Sequence, residues 1–237
     1  MTLKYSGRAA IIRGMPALAR RGFASRSTLL VLCAALAAGL GLYLAQRHFG
    51  PPRAGAVASE MPADLRAVRA FPAPRDIDAW SLTRSDGQAI GPADVRGRWT
   101  VVFLGFTHCP DVCPTTLAEM ANAQKAWQAL PEPKRPRLLF VSVDPERDTP
   151  KITGDYARHF HPDTWAATAE PATLAAFAQA MGLVYMKVPV EGGEYTMDHS
   201  ATMVVLDPQG RQAGLIGPPL AWKDIAADLS RLASEPK

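Results

Sequence analysis

Two cysteines four residues apart, Cys109 and Cys113, stand in the segment Gly105-Phe106-Thr107-His108-Cys109-Pro110-Asp111-Val112-Cys113-Pro114. The only other cysteine is Cys33, inside an apolar N-terminal stretch, where a small apolar filler is the expected role. A lone dithiol can do redox chemistry, hold a soft metal ion or close a structural disulfide. The last is the weakest reading, because bridging so short a loop removes little chain entropy. The prolines shape the pair. Pro114 disfavours helical geometry at Cys113 and suits the first helical position. This predicts Cys109–Val112 as a loop and Cys113 near the cap of a following helix. Both sulfurs are then expected near the positive end of a helix dipole, which favours thiolate. A loop also lets the sulfurs meet. On a rigid helix, Cβ atoms at this spacing stand about 5–6 Å apart, against about 3.5–4.5 Å in a disulfide.

The elements that must position this pair read as alternating strands and helices. Trp80–Thr83 is a short strand before a turn at Ser85-Asp86-Gly87-Gln88. Thr100–Phe106 is a continuous apolar strand that delivers the dithiol. Leu117, Met120, Ala121 and Trp127 give an apolar face to a helix over Pro114–Leu130. Arg137–Val143 is a second buried strand. Asp148-Thr149-Pro150 supplies a cap and a first-turn proline for a helix through Phe160. Pro171–Met181 is a helix, Leu183–Val188 a strand and Glu191-Gly192-Gly193-Glu194 a turn. Thr202–Leu206 and Gln212–Ile216 pair across Asp207-Pro208-Gln209-Gly210, and Ala221–Leu232 is a final helix. Buried strands alternating with helices predict an α/β sheet covered on both faces. A dithiol after a central strand, with a hairpin and helix at the end, makes this thioredoxin-like.

Five histidines could complete a site. His48 falls in a linker. His108 adjoins Cys109 but should face the other way if strand geometry persists. His159 and His161 end a helix, where capping by an imidazolium is expected. His199, in Met197-Asp198-His199-Ser200, immediately precedes the strand Thr202–Leu206. In thioredoxin-like folds that loop faces the active-site cysteines. Two thiolates and an imidazole suit a soft or borderline ion. Copper(I) accepts three such donors, whereas a structural zinc site wants a fourth. Met197 is expected in the core or at the rim, and Asp198 is a possible orienter of His199 or a solvated turn residue.

The chain has 237 residues, 48% of them hydrophobic, and a net charge of +4. The first 50 residues hold seven Lys and Arg and no acid; the other 187 hold 19 Lys and Arg against 22 Asp and Glu. The basic character belongs to the N-terminal tail and argues for no nucleic-acid partner. Residues 28–45 are free of charge and predict a transmembrane helix. The basic residues before it place residues 1–27 in the cytoplasm, or mark them as a targeting segment. Residues 46–74, rich in Pro, Ala and Arg, read as a tether. Residues 75–237 then form the globular domain, exported to the periplasm or the mitochondrial intermembrane space from an inner-membrane, single-pass anchor.

GFTHCPDVCPTTL (Gly105–Leu117), SVDPERDTP (Ser142–Pro150) and DHSATMVVLDPQGR (Asp198–Arg211) together make the chain resemble the SCO/SenC family of membrane-tethered, thioredoxin-like copper proteins. The likeness runs from about Asp76 to Leu232, without departure at the three donor positions. It implies copper ligands at Cys109, Cys113 and His199, one copper ion per domain as Cu(I), Cu(II) or both, and an unidentified copper donor. It also implies a metallochaperone that delivers copper to the CuA centre of cytochrome c oxidase subunit II. The alternatives are a thiol–disulfide oxidoreductase that reduces the target's cysteines, and a copper or redox sensor. A peroxidase is disfavoured, since no Thr-x-x-Cys arrangement surrounds Cys109.

Overall fold

The computed structural model describes residues 26–48 and 64–235. The chain divides into two units, residues 1–56 and 57–237. The first contains helix α1 (Arg26–His48), whose described side chains from Leu29 to Gly41 are all exposed. Among the described residues no helix is long and apolar enough to cross a membrane. The stretch 28–45 is helical within α1, and its expected role as a transmembrane span is not supported by the described residues. The basic residues 1–25, and residues 49–63 of the expected tether, lie outside the described residues.

The second unit is built on an eight-stranded mixed sheet, order β1-β10-β9-β4-β5-β6-β2-β3. Its strands are β1 (Val68–Arg75), β2 (Leu82–Arg84), β3 (Ala89–Ile90), β4 (Thr100–Gly105), β5 (Arg137–Ser142), β6 (Trp165–Thr168), β9 (Met203–Leu206) and β10 (Gln212–Ile216). A separate two-stranded sheet joins β7 (Tyr185–Pro189) to β8 (Tyr195–His199). The helices are α2 (Pro92–Val95), α3 (Val112–Trp127), α4 (Pro150–Phe160), α5 (Pro171–Ala180) and α6 (Trp222–Ser234). β4 and β5 run parallel, Thr100 opposite Arg137 through Gly105 opposite Ser142, and β9 pairs antiparallel on the other side of β4. Every β4 residue is buried, so both faces of the sheet are covered there. The mixed α/β, thioredoxin-type fold is the one expected.

Three elements differ from expectation. The tether does not reach residue 74. β1 pairs antiparallel with β10 as an edge strand, with a bulge between Ala70 and Arg75 that accommodates Pro72 and Pro74. Buried Asp228 on α6 accepts backbone N–H bonds from Arg66 (2.9 Å), Ala67 (2.7 Å) and Val68 (3.0 Å), which anchors the strand's entry. The α3 helix begins at Val112, so Cys113 lies within its first turn. Pro114 is tolerated there because first-turn N–H groups have no helical partner to lose. His161 is buried, and its Nδ1 accepts from the Asp163 N–H (3.2 Å). Burial lowers its pKa, so it is a neutral acceptor and not the cationic cap expected.

Candidate metal centre

β4 ends at Gly105, and the chain turns through Phe106–Asp111 into α3. Cys109 sits on that turn, half-buried, and Cys113 is 0% exposed beneath it. The Cys113 N–H donates to Cys109 Sγ (3.3 Å). Both thiols are free. His199 arrives from the end of β8, with Nε2 at 3.4 Å from Cys113 Sγ. One donor atom from each of Cys109, Cys113 and His199 lies within 4.8 Å of the other two. The structure therefore brings together the three residues singled out in the sequence.

His199 is tightly oriented. Its Nδ1–H donates to the Ser200 carbonyl (3.1 Å), which leaves the Nε2 lone pair facing the sulfurs. Phe103 and Phe106 meet its ring edge-on, with centroids at 6.0 and 6.1 Å. Burial lowers the His199 pKa against the opposing effect of the Ser200 bond, so the ring is neutral near pH 7. The Cys113 thiol is also neutral there. Burial pushes its pKa well above the ordinary range and outweighs the helix-dipole effect expected to favour thiolate at both sulfurs. A metal that binds here must displace the Cys113 proton.

The remaining candidates lie elsewhere. Met197 is buried in the core and Asp198 is exposed, so His199 is oriented by Ser200 and not by Asp198. His108 is exposed and groups with Asp144 and Asp148, away from the dithiol. His159 stacks its ring edge-on against Phe160. An open groove of about 200 Å³, lined by Val184, Tyr185, Met186, Asp198, His199 and Ser200, gives solvent access beside the imidazole.

The sequence placed the Asp144-Pro145 turn near the site and read Asp148–Pro150 as a helix start, but did not show that Asp144 and Asp148 hold the site in place. Asp148 is fully buried and accepts from Thr107 N (2.8 Å), Thr107 Oγ1 (2.5 Å) and Ser142 Oγ (2.5 Å). Asp144 accepts from Arg147 Nε (2.5 Å) and from the Tyr195 hydroxyl (2.8 Å). The signal was the acid-rich run Asp144-Pro145-Glu146-Arg147-Asp148, which helix initiation by Thr149 and Pro150 only partly explains.

The SCO1/SenC family model matches residues 72–234. Protein SCO1 homolog 1, mitochondrial, of Arabidopsis thaliana is 35% identical over 136 residues, which are 55% of this chain and 39% of that one. A putative copper-binding protein of Stutzerimonas stutzeri is 31% identical over 159 residues, 66% of this chain and 76% of that one. The match thus spans well under half of the Arabidopsis relative and about three quarters of the bacterial one. Among solved structures, copper-bound ScoI of Bradyrhizobium japonicum is similar with TM-score 0.60 and 35% identity, covering 66% of this chain and 98% of that one. Copper-bound ScoI of Arabidopsis thaliana is similar with TM-score 0.61 and 30% identity, covering 66% and 96%. The fold, the convergence of the three donors and these likenesses lead to one conclusion: the chain belongs to the SCO1/SenC family.

Proposed function

We propose that this protein is a copper metallochaperone that binds one copper ion at Cys109, Cys113 and His199 and delivers it to the CuA centre of cytochrome c oxidase subunit II. One observation carries the reading: an imidazole 86 residues away in sequence is held with its free nitrogen 3.4 Å from a buried cysteine sulfur. Two sulfurs and one nitrogen form a soft, three-donor set suited to copper(I). The copper-bound relatives support the same assignment. Copper is cargo here. The chain's own residues orient the imidazole, exclude water around Cys113 and release the thiol protons as the metal arrives. The proposed setting is the periplasm or the mitochondrial intermembrane space, where an oxidising environment can close the Cys109–Cys113 pair and so block loading.

A second reading is thiol–disulfide exchange that reduces the target's cysteines. The asymmetry of the pair favours it, because Cys109 is reachable and accepts a backbone N–H while Cys113 lies buried behind it. His199 separates the two. Anaerobic copper(I) titration of the reduced and oxidised full chain is the test. The chaperone reading expects one copper per reduced chain, none per oxidised chain, and much weaker binding by His199→Ala with its dithiol still reactive. Wild-type copper affinity in His199→Ala overturns the ligand assignment and leaves the exchange reading in place.

A further inference from the structure

We infer that the loop Asp144–Asp148 is a clamp that sets the separation between the dithiol and His199, with Tyr195 and Asp144 as positioning residues. The inference rests on the copper reading above. The loop grips both halves of the site. At one end, the buried Asp148 carboxylate takes the backbone N–H and hydroxyl of Thr107, two residues before Cys109. At the other, Asp144 takes the Tyr195 hydroxyl, Arg147 Nη1 donates to the Tyr195 carbonyl (3.2 Å), and the Arg147 guanidinium lies 3.8 Å from the Tyr195 ring centroid. The two ends are tied together, since the N–H groups of Arg147 (3.2 Å) and Asp148 (2.8 Å) both donate to the Asp144 carbonyl.

The hairpin that carries His199 needs such a hold, because β7 and β8 form a sheet separate from the main one. Along β8, alternate side chains share a face, so Tyr195, Met197 and His199 all turn inward while Asp198 is exposed. Met197 fixes the middle of the strand against the core. The Tyr195 end is fixed by the clamp, about 13 Å along the strand from His199. Tilting the hairpin about Met197 would therefore move the imidazole away from Cys113. Lys187 on β7 adds an exposed ion pair to Glu146 of the same loop.

The experiment uses the full chain with Tyr195→Phe, which removes the hydroxyl and keeps the ring under Arg147. Copper(I) affinity is measured by competition with a chromophoric chelator, in the wild-type and His199→Ala backgrounds. Hydrogen exchange of the β8 amides is measured on the metal-free protein. The expected result is about a tenfold loss of copper affinity, the equivalent of one hydrogen bond to a charged acceptor. That loss disappears in the His199→Ala background, and exchange of the Thr196–His199 amides quickens. Asp144→Asn, which keeps an oxygen for Tyr195, falls between Tyr195→Phe and Asp144→Ala. Unchanged affinity and exchange in Tyr195→Phe, or an equal loss of affinity in both backgrounds, overturns the clamp. If wild-type protein binds no copper, the metal reading fails instead, and the exchange measurement alone then decides for or against the clamp.

Discussion

Gly105→Ala should damage both stability and the metal centre. A Cβ built on Gly105 would stand 2.7 Å from Phe140 Cε2, 3.0 Å from Cys113 Sγ and 3.5 Å from Phe103 Cε1. Comfortable carbon contacts begin at about 3.5 Å, so one or both of the nearer atoms must move by roughly 0.5–1 Å. Phe140 cannot easily give way. Its ring is fully buried and packs against Phe103 and Tyr156, with centroids at 5.9 and 5.8 Å. Cys113 is equally buried, but it sits in the first turn of α3, so the sulfur and that turn are the softer side. Overpacking of this kind costs about 1–3 kcal/mol. At 2 kcal/mol, a chain of this size loses about 4–8 °C in Tm. Displacing a ligand sulfur should lower copper(I) affinity by about 10–100-fold, the range found when groups that support metal ligands are removed. Thermal unfolding of the metal-free protein and chelator competition measure the two effects. Unchanged Tm would refute the steric argument. A lower Tm with unaltered copper affinity would refute the claim that the sulfur is the group that moves.

Asp228→Ala orphans three backbone N–H groups at the entrance to β1, and should cost about 3–5 kcal/mol while copper affinity stays at the wild-type value, since β1 lies three strands from β4; chemical denaturation and copper titration check both parts. Asp148→Ala should leave Thr107 and Ser142 without their buried acceptor, lower stability by several kcal/mol and weaken copper binding through the turn that carries Cys109, measured by the same two assays. The neutral, buried His161 makes stability depend on pH. Its folded pKa lies below the unfolded value of about 6.5, so the unfolded state binds more protons as pH falls through that value, and stability drops. Denaturant midpoints between pH 7.5 and 5 should fall less steeply for His161→Asn than for wild type, and equal slopes would refute the assignment.

Much of the fold was legible because its central strands are long and apolar. Thr100–Gly105 and Arg137–Ser142 have no other reading, and Thr149 caps α4 as its sequence suggests, its side chain accepting from the Ile152 N–H. β6 could not be assigned residues from the sequence, because Trp165-Ala166-Ala167-Thr168 is short and its alanines give little hydrophobic contrast. β8 was missed because Tyr-Thr-Met-Asp-His looks polar until the inward faces of Tyr195 and Met197 are known. β1 was hidden by Pro72 and Pro74, which usually argue against a strand and here mark an edge with a bulge. In the site, residue type and spacing exposed the cysteines, while His199 was singled out among five histidines by its placement just before the strand Thr202–Leu206 and by the resemblance. The protonation of Cys113 was not legible, since it depends on burial, which the position of Pro114 did not reveal. Nor were the roles of Asp144 and Tyr195, because their partnership spans 51 residues and two elements.

The pairing of β1 with β10, and the capture of residues 66–68 by Asp228 some 160 positions later, impose a delay on the nascent chain. The first strand of the sheet to be synthesised is among the last to find its place. At roughly 5–20 residues per second, it waits on the order of ten seconds for its neighbour to appear. Throughout that wait, both sides of its backbone are open to pairing with another chain. Pro72 and Pro74 each remove an amide donor, while Arg69 and Arg75 add like charges that repel a second copy. The residues that disguise β1 as a linker thus also guard it against association before its native partner exists.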